Sequence, residues 1–240
     1  MAPPTSPRPA RSTRSTGGGE PTAPAVAPPR PPVYETPVLR PGDRYDLEPG
    51  ADCDGVEFDG TDLAGGSGRG ATLLGCVLRG CPLDETDLRR ARLVDSLLTG
   101  VRGVGTALAE ATLRDTEILD ARLGGVQLSA ARLDRVRFRG GKVDYLNLRQ
   151  ARLTDVSFED CVLVEPDFSG ARLERVSFAG CELRGADFAG TTLRDVDLRG
   201  AARLEVGRGV AELAGAVVSP AQLLELAPAL AAATGLRVVP

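Results

Sequence analysis

The sequence predicts an all-β fold: a parallel β-helix of about seven square coils, preceded by a disordered proline-rich segment and closed by a short helical cap. Three observations predict it. A large apolar residue recurs at every fifth position across residues 56–200 with no slip of phase. A second similarity recurs every twenty residues over the same stretch. Composition changes at both ends of it, so three segments are expected, 1–50, 51–200 and 201–240.

The five-residue unit is plain in residues 171–190, which read ARLER, VSFAG, CELRG, ADFAG. The third position forms the expected core ladder: Leu73, Leu93, Leu113, Leu133, Phe138, Leu153, Phe158, Phe168, Leu173, Phe178, Phe188 and Leu193. All six Phe of the chain, Phe58 included, occupy this slot, and only Gly68 and Gly103 leave it without an apolar side chain. Two residues earlier stands a small residue, as at Ala131, Val136, Ala151, Cys161 and Cys181. A helix turns by about 100° per residue, so a five-residue step rotates the apolar position by about 140° and builds no face. In a straight strand an odd period sends successive Leu to opposite sides. The pattern works if the chain turns a corner after every five residues. Positions one and three of each short strand then point inward. Gly at many fifth positions, such as Gly170 and Gly190, suits a corner of positive φ.

The twenty-residue similarity aligns 131–150, 151–170 and 171–190, so four units close one coil. Phe138, Phe158 and Phe178 then stack, as do Phe168 on Phe188 and Cys161 on Cys181. About seven coils at about 4.8 Å each give a rod of about 35 Å. Gly-rich GGSGRG at 65–70 and GVRGVG at 100–105 read as loosened corners, since no Lys-Ser/Thr follows to bind a phosphate. Whether Gly68 and Gly103 dent the rod or interrupt it is open at this point.

Residues 1–50 hold thirteen of the eighteen prolines and no apolar periodicity, which predicts a solvated segment. Within it, PPRPP at 28–32 has an alternative reading as a polyproline II ligand for an aromatic groove. In residues 201–240, Ser219, Pro220 and Gln222 predict a helix start as N-cap, N1 and N3 of a capping box. Pro228 is expected to break or kink the helix into two, and Gly235 to terminate it. Such a cap covers the open end of a stacked rod. Its apolar residues Leu223, Leu224, Leu226 and Leu230 also offer a surface for a second copy, a homodimer.

The chain has no His, five Cys without a CxxC spacing, one Lys and a net charge of −4. These features speak against direct nucleic-acid binding and give no metal-ligand spacing or His-based catalysis. No run of apolar residues is long enough to cross a membrane, and no signal segment is evident, so a cytoplasmic location with reduced thiols is expected. No nucleophile elbow or P-loop appears, and carboxylate pairs such as Asp84-Glu85 and Glu159-Asp160 are expected on a convex, solvated surface. The chain is therefore read as non-enzymatic and without a cofactor.

The unit A-[DR]-[LF]-x-G, as in ADFAG at 186–190, resembles the pentapeptide-repeat family over residues 56–200. That resemblance implies a right-handed quadrilateral β-helix. Together with the tail GAVVSPAQLLELAPALAAATGLRV it resembles the bacterial branch of MfpA-type and Qnr-type proteins. Members of that branch bind DNA gyrase, imitate duplex DNA in shape and charge, and in some cases protect the enzyme from quinolones or peptide toxins. The resemblance thus implies a protein partner, DNA gyrase or another type II topoisomerase, and a role in antibiotic resistance. The other reading is a scaffold module that binds some unrelated protein.

Charge bears on the mimicry. Residues 51–200 carry 25 acidic and 20 basic side chains, a net of −5, whereas a 35 Å length of duplex carries about −20. Arg92, Arg132, Arg152 and Arg172 should form one basic ladder. Asp144, Glu159, Asp160, Glu165, Asp167, Glu182 and Asp187 gather on neighbouring faces and are the candidate partner-binding residues. The plainer reading of the same residues is a mixed, solvated surface.

Overall fold

The computed structural model describes residues 26–34 and 38–237. It is a parallel β-solenoid with four flat faces. The first face has its inward residues at 53, 73, 93 and so on to 193, and the second at 58, 78, 98 and so on to 198. The third runs from Leu63 through Leu83, Gly103 and Leu123 to Leu183, and the fourth from Gly68 through Leu88 to Phe188. Every strand pairing is parallel, and from residue 52 on pairs across the first two faces keep a register of twenty, as in Leu133↔Leu153 and Phe138↔Phe158. Long strands such as Arg132–Arg139 and Arg152–Glu159 wrap the corner between the first and second faces. The fourth face carries single bridges, Ser67↔Asp87 through Asp167↔Asp187.

The predicted stacks are present. Phe158 lies between Phe138 at 4.7 Å and Phe178 at 5.0 Å, with rings nearly parallel, and Phe168 stacks on Phe188 at 5.2 Å. These rings are buried, and burying each one stabilises the coil by about 2–3 kcal/mol. The small first position has a second use. Thr86, Ser96, Thr106 and Thr116 are buried there, and each hydroxyl donates to the carbonyl twenty-three residues earlier: Leu63, Leu73, Leu83 and Leu93. Cys76 and Cys81 do the same with their thiols toward Cys53 and Phe58. A one-proton donor of small volume therefore suits this slot as well as Ala does.

Corners require a left-handed backbone whatever residue occupies them. Asp95, Asp115, Asp155 and Asp195 stand at fifth positions with φ between 48° and 54°. Asp, like Asn, tolerates this region better than most side chains, which suits it to replace Gly there.

The two glycines in the core ladder dent the rod without interrupting it. Leu47, from the segment before the first coil, fills the space Gly68 leaves: a Cβ on Gly68 would lie 2.5 Å from its Cδ1. At Gly103 the strand sinks onto the coil beneath, and a Cβ would lie 2.6 Å from the Leu83 carbonyl carbon. Pairing continues through it, Leu123↔Gly103, beside an apolar void of about 30 Å³ lined in part by Leu83, Leu98 and Leu123.

The solenoid is longer than the strict phase indicates, about nine turns where seven were expected, because both ends pair beyond it. At the front, Arg40–Pro41 pairs with Val56–Asp59, and Asp43 caps a short 3-10 turn, Arg44–Asp46. At the back, Arg203–Arg208 continues the third face with one extra residue, so Leu204 rather than residue 203 stacks on Leu183. Ala216–Val217 adds a last rung to the second face. Residues 26–34 also lie against the rod, whereas composition predicted a solvated segment; the remainder of 1–25, and 35–37, are outside the described residues.

The helix Pro220–Ala233 starts as expected, with Ser219 and Gln222 forming a reciprocal capping box. It does not break at Pro228. Pro228 and Leu224 are exposed, so the carbonyl of Leu224, which loses its helical donor, stays open to water. Gly235 ends the helix at φ 76°, with Leu236 N–H donating to the Ala231 carbonyl. Gln222 is itself buried, and its Nε2 donates to the carbonyls of Leu198 and Ala201 at 2.8 and 3.3 Å. The cap thus satisfies the open end of the last regular coil. Leu226 is buried in that junction and Leu230 packs on it, so neither faces outward; Leu223 and Leu224 do.

Candidate functional site

The expected acidic set does not form one surface. Glu159 is on the second face and Asp160 at its corner, Asp144 and Glu182 are on the third, Glu165 is at the next corner, and Asp167 and Asp187 are on the fourth. Five of the seven are paired with a cation. Asp144 meets Lys142 at 2.8 Å, Glu159 meets Arg137 at 3.3 Å, Asp167 meets Arg149 at 2.6 Å, Glu182 meets Arg184 at 2.6 Å and Asp187 meets Arg208 at 3.8 Å. Asp167 and Asp187 also accept the backbone N–H two residues on, at Ser169 and Ala189. Those carboxylates are turn caps, which explains their place without a partner.

The arginine ladder is as expected. Arg92, Arg132, Arg152 and Arg172 stand on one edge of the first face, the last three on consecutive coils, and none has an ion-pair partner among the described residues.

A site not singled out from the sequence lies at the corner between the first and second faces. Its fifth-position residues read Asp95, Asp115, Arg135, Asp155, Arg175, Asp195 up the coils. Arg135 reaches down to Asp115 with bonds of 2.6 Å from Nε and Nη2, and Arg175 to Asp155 with 2.6 and 3.0 Å. Such bidentate pairs are the strong kind of charged hydrogen bond. On these two carboxylates rests the segment 26–34. The Arg30 N–H donates to Asp155 Oδ1 at 3.1 Å, and its guanidinium donates to Oδ2 at 2.8 and 2.5 Å. The Val33 N–H donates to Asp115 Oδ1 at 3.1 Å, and the Tyr34 hydroxyl to Glu117 Oε2 at 2.9 Å. The Asp155 side chain is fully buried. Burial alone would raise its pKa, but the donors on Arg175 and Arg30 outweigh that and hold it below the ordinary carboxylate range. Burial, then the bond to Glu117, pushes the Tyr34 hydroxyl up to about 12. The signal in the sequence is the Asp/Arg alternation at twenty-residue spacing.

The five cysteines are free and buried. Burial pushes the Cys76 thiol up to about 11, the wrong direction for a nucleophile. No group of His, Cys, Asp and Glu among the described residues is arranged to hold a metal ion, and no helix among them is long and apolar enough to cross a membrane.

A family model described as a pentapeptide repeat region matches residues 52–148 and 151–204. Among solved structures, the chain is similar to HetL, a protein involved in heterocyst differentiation regulation from the cyanobacterium Nostoc. The identity is 20%, over 70% of this chain and 90% of that one, at a TM-score of 0.38. It is similar to a trypsin-treated form of QnrB1, a plasmid-mediated fluoroquinolone resistance protein, at 20% identity over 85% of this chain and 99% of that one, TM-score 0.32. Full-length QnrB1 matches at 16% identity over 79% and 94%, TM-score 0.30. No curated protein matches.

Proposed function

Because the chain belongs to the pentapeptide-repeat family, we propose that it acts without catalysis, as a stiff rod that binds another protein along its flat outer faces. The observation that carries this reading is the regular outer surface. On the fourth face, seven residues from Ser67 to Asp187 stand in register at one per coil, and the arginine ladder is equally regular. Outward side chains spaced by about 4.8 Å suit an extended, flat contact. The carboxylates, which would have to do acid-base work, are solvated or paired with Arg and Lys, and general acid catalysis needs a pKa raised by enclosure.

The finer reading names the partner as DNA gyrase or another type II topoisomerase, with the rod standing in for a length of duplex. About nine turns at about 4.8 Å give a rod of about 43 Å, long enough to replace roughly a turn of DNA. Ion pairing of five of the seven candidate acidic residues favours shape, rather than a row of negative charge, as the feature imitated. A supercoiling assay with purified gyrase, with and without a quinolone, tests this. Inhibition or drug protection at micromolar protein is the expected result. No effect from a folded protein would retire the topoisomerase reading and leave the scaffold reading, a rod that binds an unrelated protein.

A further inference from the structure

Segment 26–34 meets the corner with a matched period. Between Pro28 and Val33 the sequence is PPRPPV, so only Arg30 and Val33 own an N–H, and each donates it to a corner aspartate. The prolines between them have no donor to leave unsatisfied. Val26, Pro29 and Pro32 are half-buried, while Ala27, Pro28, Arg30 and Pro31 are exposed, a period of three. Three is the period of the polyproline II helix, which rises about 3.1 Å per residue, or about 9.3 Å per turn. Two coils of the solenoid rise about 9.6 Å. One turn of the segment thus spans two coils. That is why its donors reach Asp155 and Asp115 and pass over Arg135, which instead holds Asp115 in place.

We infer that this corner is a peptide-binding site for polyproline II segments built of X-Pro-Pro triplets with arginine at one X, and that residues 27–34 fill it within the same chain. Specificity has two parts. The backbone N–H every third residue meets an Asp on every second coil, which selects the X-Pro-Pro period. The guanidinium bonds to Asp155, which already holds Arg175, select Arg at that triplet. Side chains at the other X positions point away, Val33 being 73% exposed, so they are unselected. A partner protein displaying an Arg-Pro-Pro segment would engage the rod here by exchange with the chain's own strap. The inference does not depend on the topoisomerase reading.

The first experiment is hydrogen exchange on the full-length chain. Peptic fragments confined to residues 26–34 contain few amides besides those of Arg30 and Val33, so their protection reads the strap directly. The expected result is slowing of at least tenfold relative to a free peptide of the same residues, lost in Asp115→Asn/Asp155→Asn while the rod stays protected. Exchange at the free-peptide rate in the native chain would overturn the inference. The second experiment titrates a labelled peptide of residues 25–35 against full-length Arg30→Glu, whose own strap Asp155 repels. Saturable binding is expected, at least tenfold weaker when the peptide carries Ala in place of its Arg. A folded Arg30→Glu chain that binds neither peptide would show a fixed intramolecular staple and no peptide site, and one that binds both alike would overturn the selection for arginine.

Discussion

Arg30 and Asp155, 125 residues apart in the chain, are joined by one backbone and two guanidinium hydrogen bonds to a carboxylate fully withdrawn from water. The contact ties the front of the sequence to the sixth coil. Replacing Arg30 with Ala removes the guanidinium bonds and leaves Asp155 with Arg175, so a loss of about 1–2 kcal/mol is expected, read as a lower thermal midpoint. Acid has a predictable effect too. The folded pKa of Asp155 is lowered, so its stabilisation is complete above the ordinary Asp value near 3.9 and fades as pH falls below it. The protection of the Arg30 and Val33 amides, taken relative to the free peptide at each pH, should therefore be flat from pH 8 to about 5.

Tyr34 reports on the same contact from the alkaline side. Its hydroxyl is pushed up to about 12, by burial and by its bond to Glu117. A raised folded value means that its stabilisation is complete below the ordinary tyrosine pKa of about 10 and is lost as pH rises through the folded value. Absorbance titration of phenolate should show a late group that Tyr34→Phe removes and Glu117→Gln brings down. No late group in the native protein would show that Tyr34 is free.

In the core, Phe158→Ala opens a gap between Phe138 and Phe178 and should cost about 3–5 kcal/mol in denaturant unfolding. Phe158→Leu, which keeps the slot filled as Leu98 and Leu198 do farther along the same face, should cost less than half of that.

At the far end, Gln222→Met keeps the volume but removes the donors to Leu198 and Ala201 and the acceptor for the Ser219 N–H. A loss of about 1–3 kcal/mol is expected, with faster amide exchange confined to the helix and the last coils. Global destabilisation with unchanged exchange at Ser219 would contradict the double-capping role.

Much of this was legible beforehand, and for a physical reason. A five-residue corner forces every apolar residue to one side, so the Phe stacks, the small slot and the twenty-residue coil follow from spacing alone. The capping box at Ser219 and Gln222 is local, and so was readable. What escaped depends on distant partners. Leu47 fills the Gly68 space from outside the phase, and Arg30 finds Asp155 because a polyproline turn happens to match two coils. The sequence offers PPRPP at 28–32 as a polyproline II ligand but gives no sign that an acidic corner of the same chain receives it. Pro228 predicts a break or kink, but its exposed setting, which leaves the Leu224 carbonyl to water, belongs to the cap's packing and is not visible in the sequence. The acidic residues were read singly, although partners such as Arg149 for Asp167, eighteen residues before it, sit close to one coil away.

The most direct measurement is of distance against sequence separation along the first face. Spin labels at exposed Arg92 and Arg172 are four coils apart and at Asp52 and Thr192 seven. The backbone separations should be about 19 and 34 Å, with narrow distributions, a constant rise per twenty residues. Separations that are equal, broad, or out of proportion to the number of coils would contradict a chain that turns four corners and climbs one strand spacing.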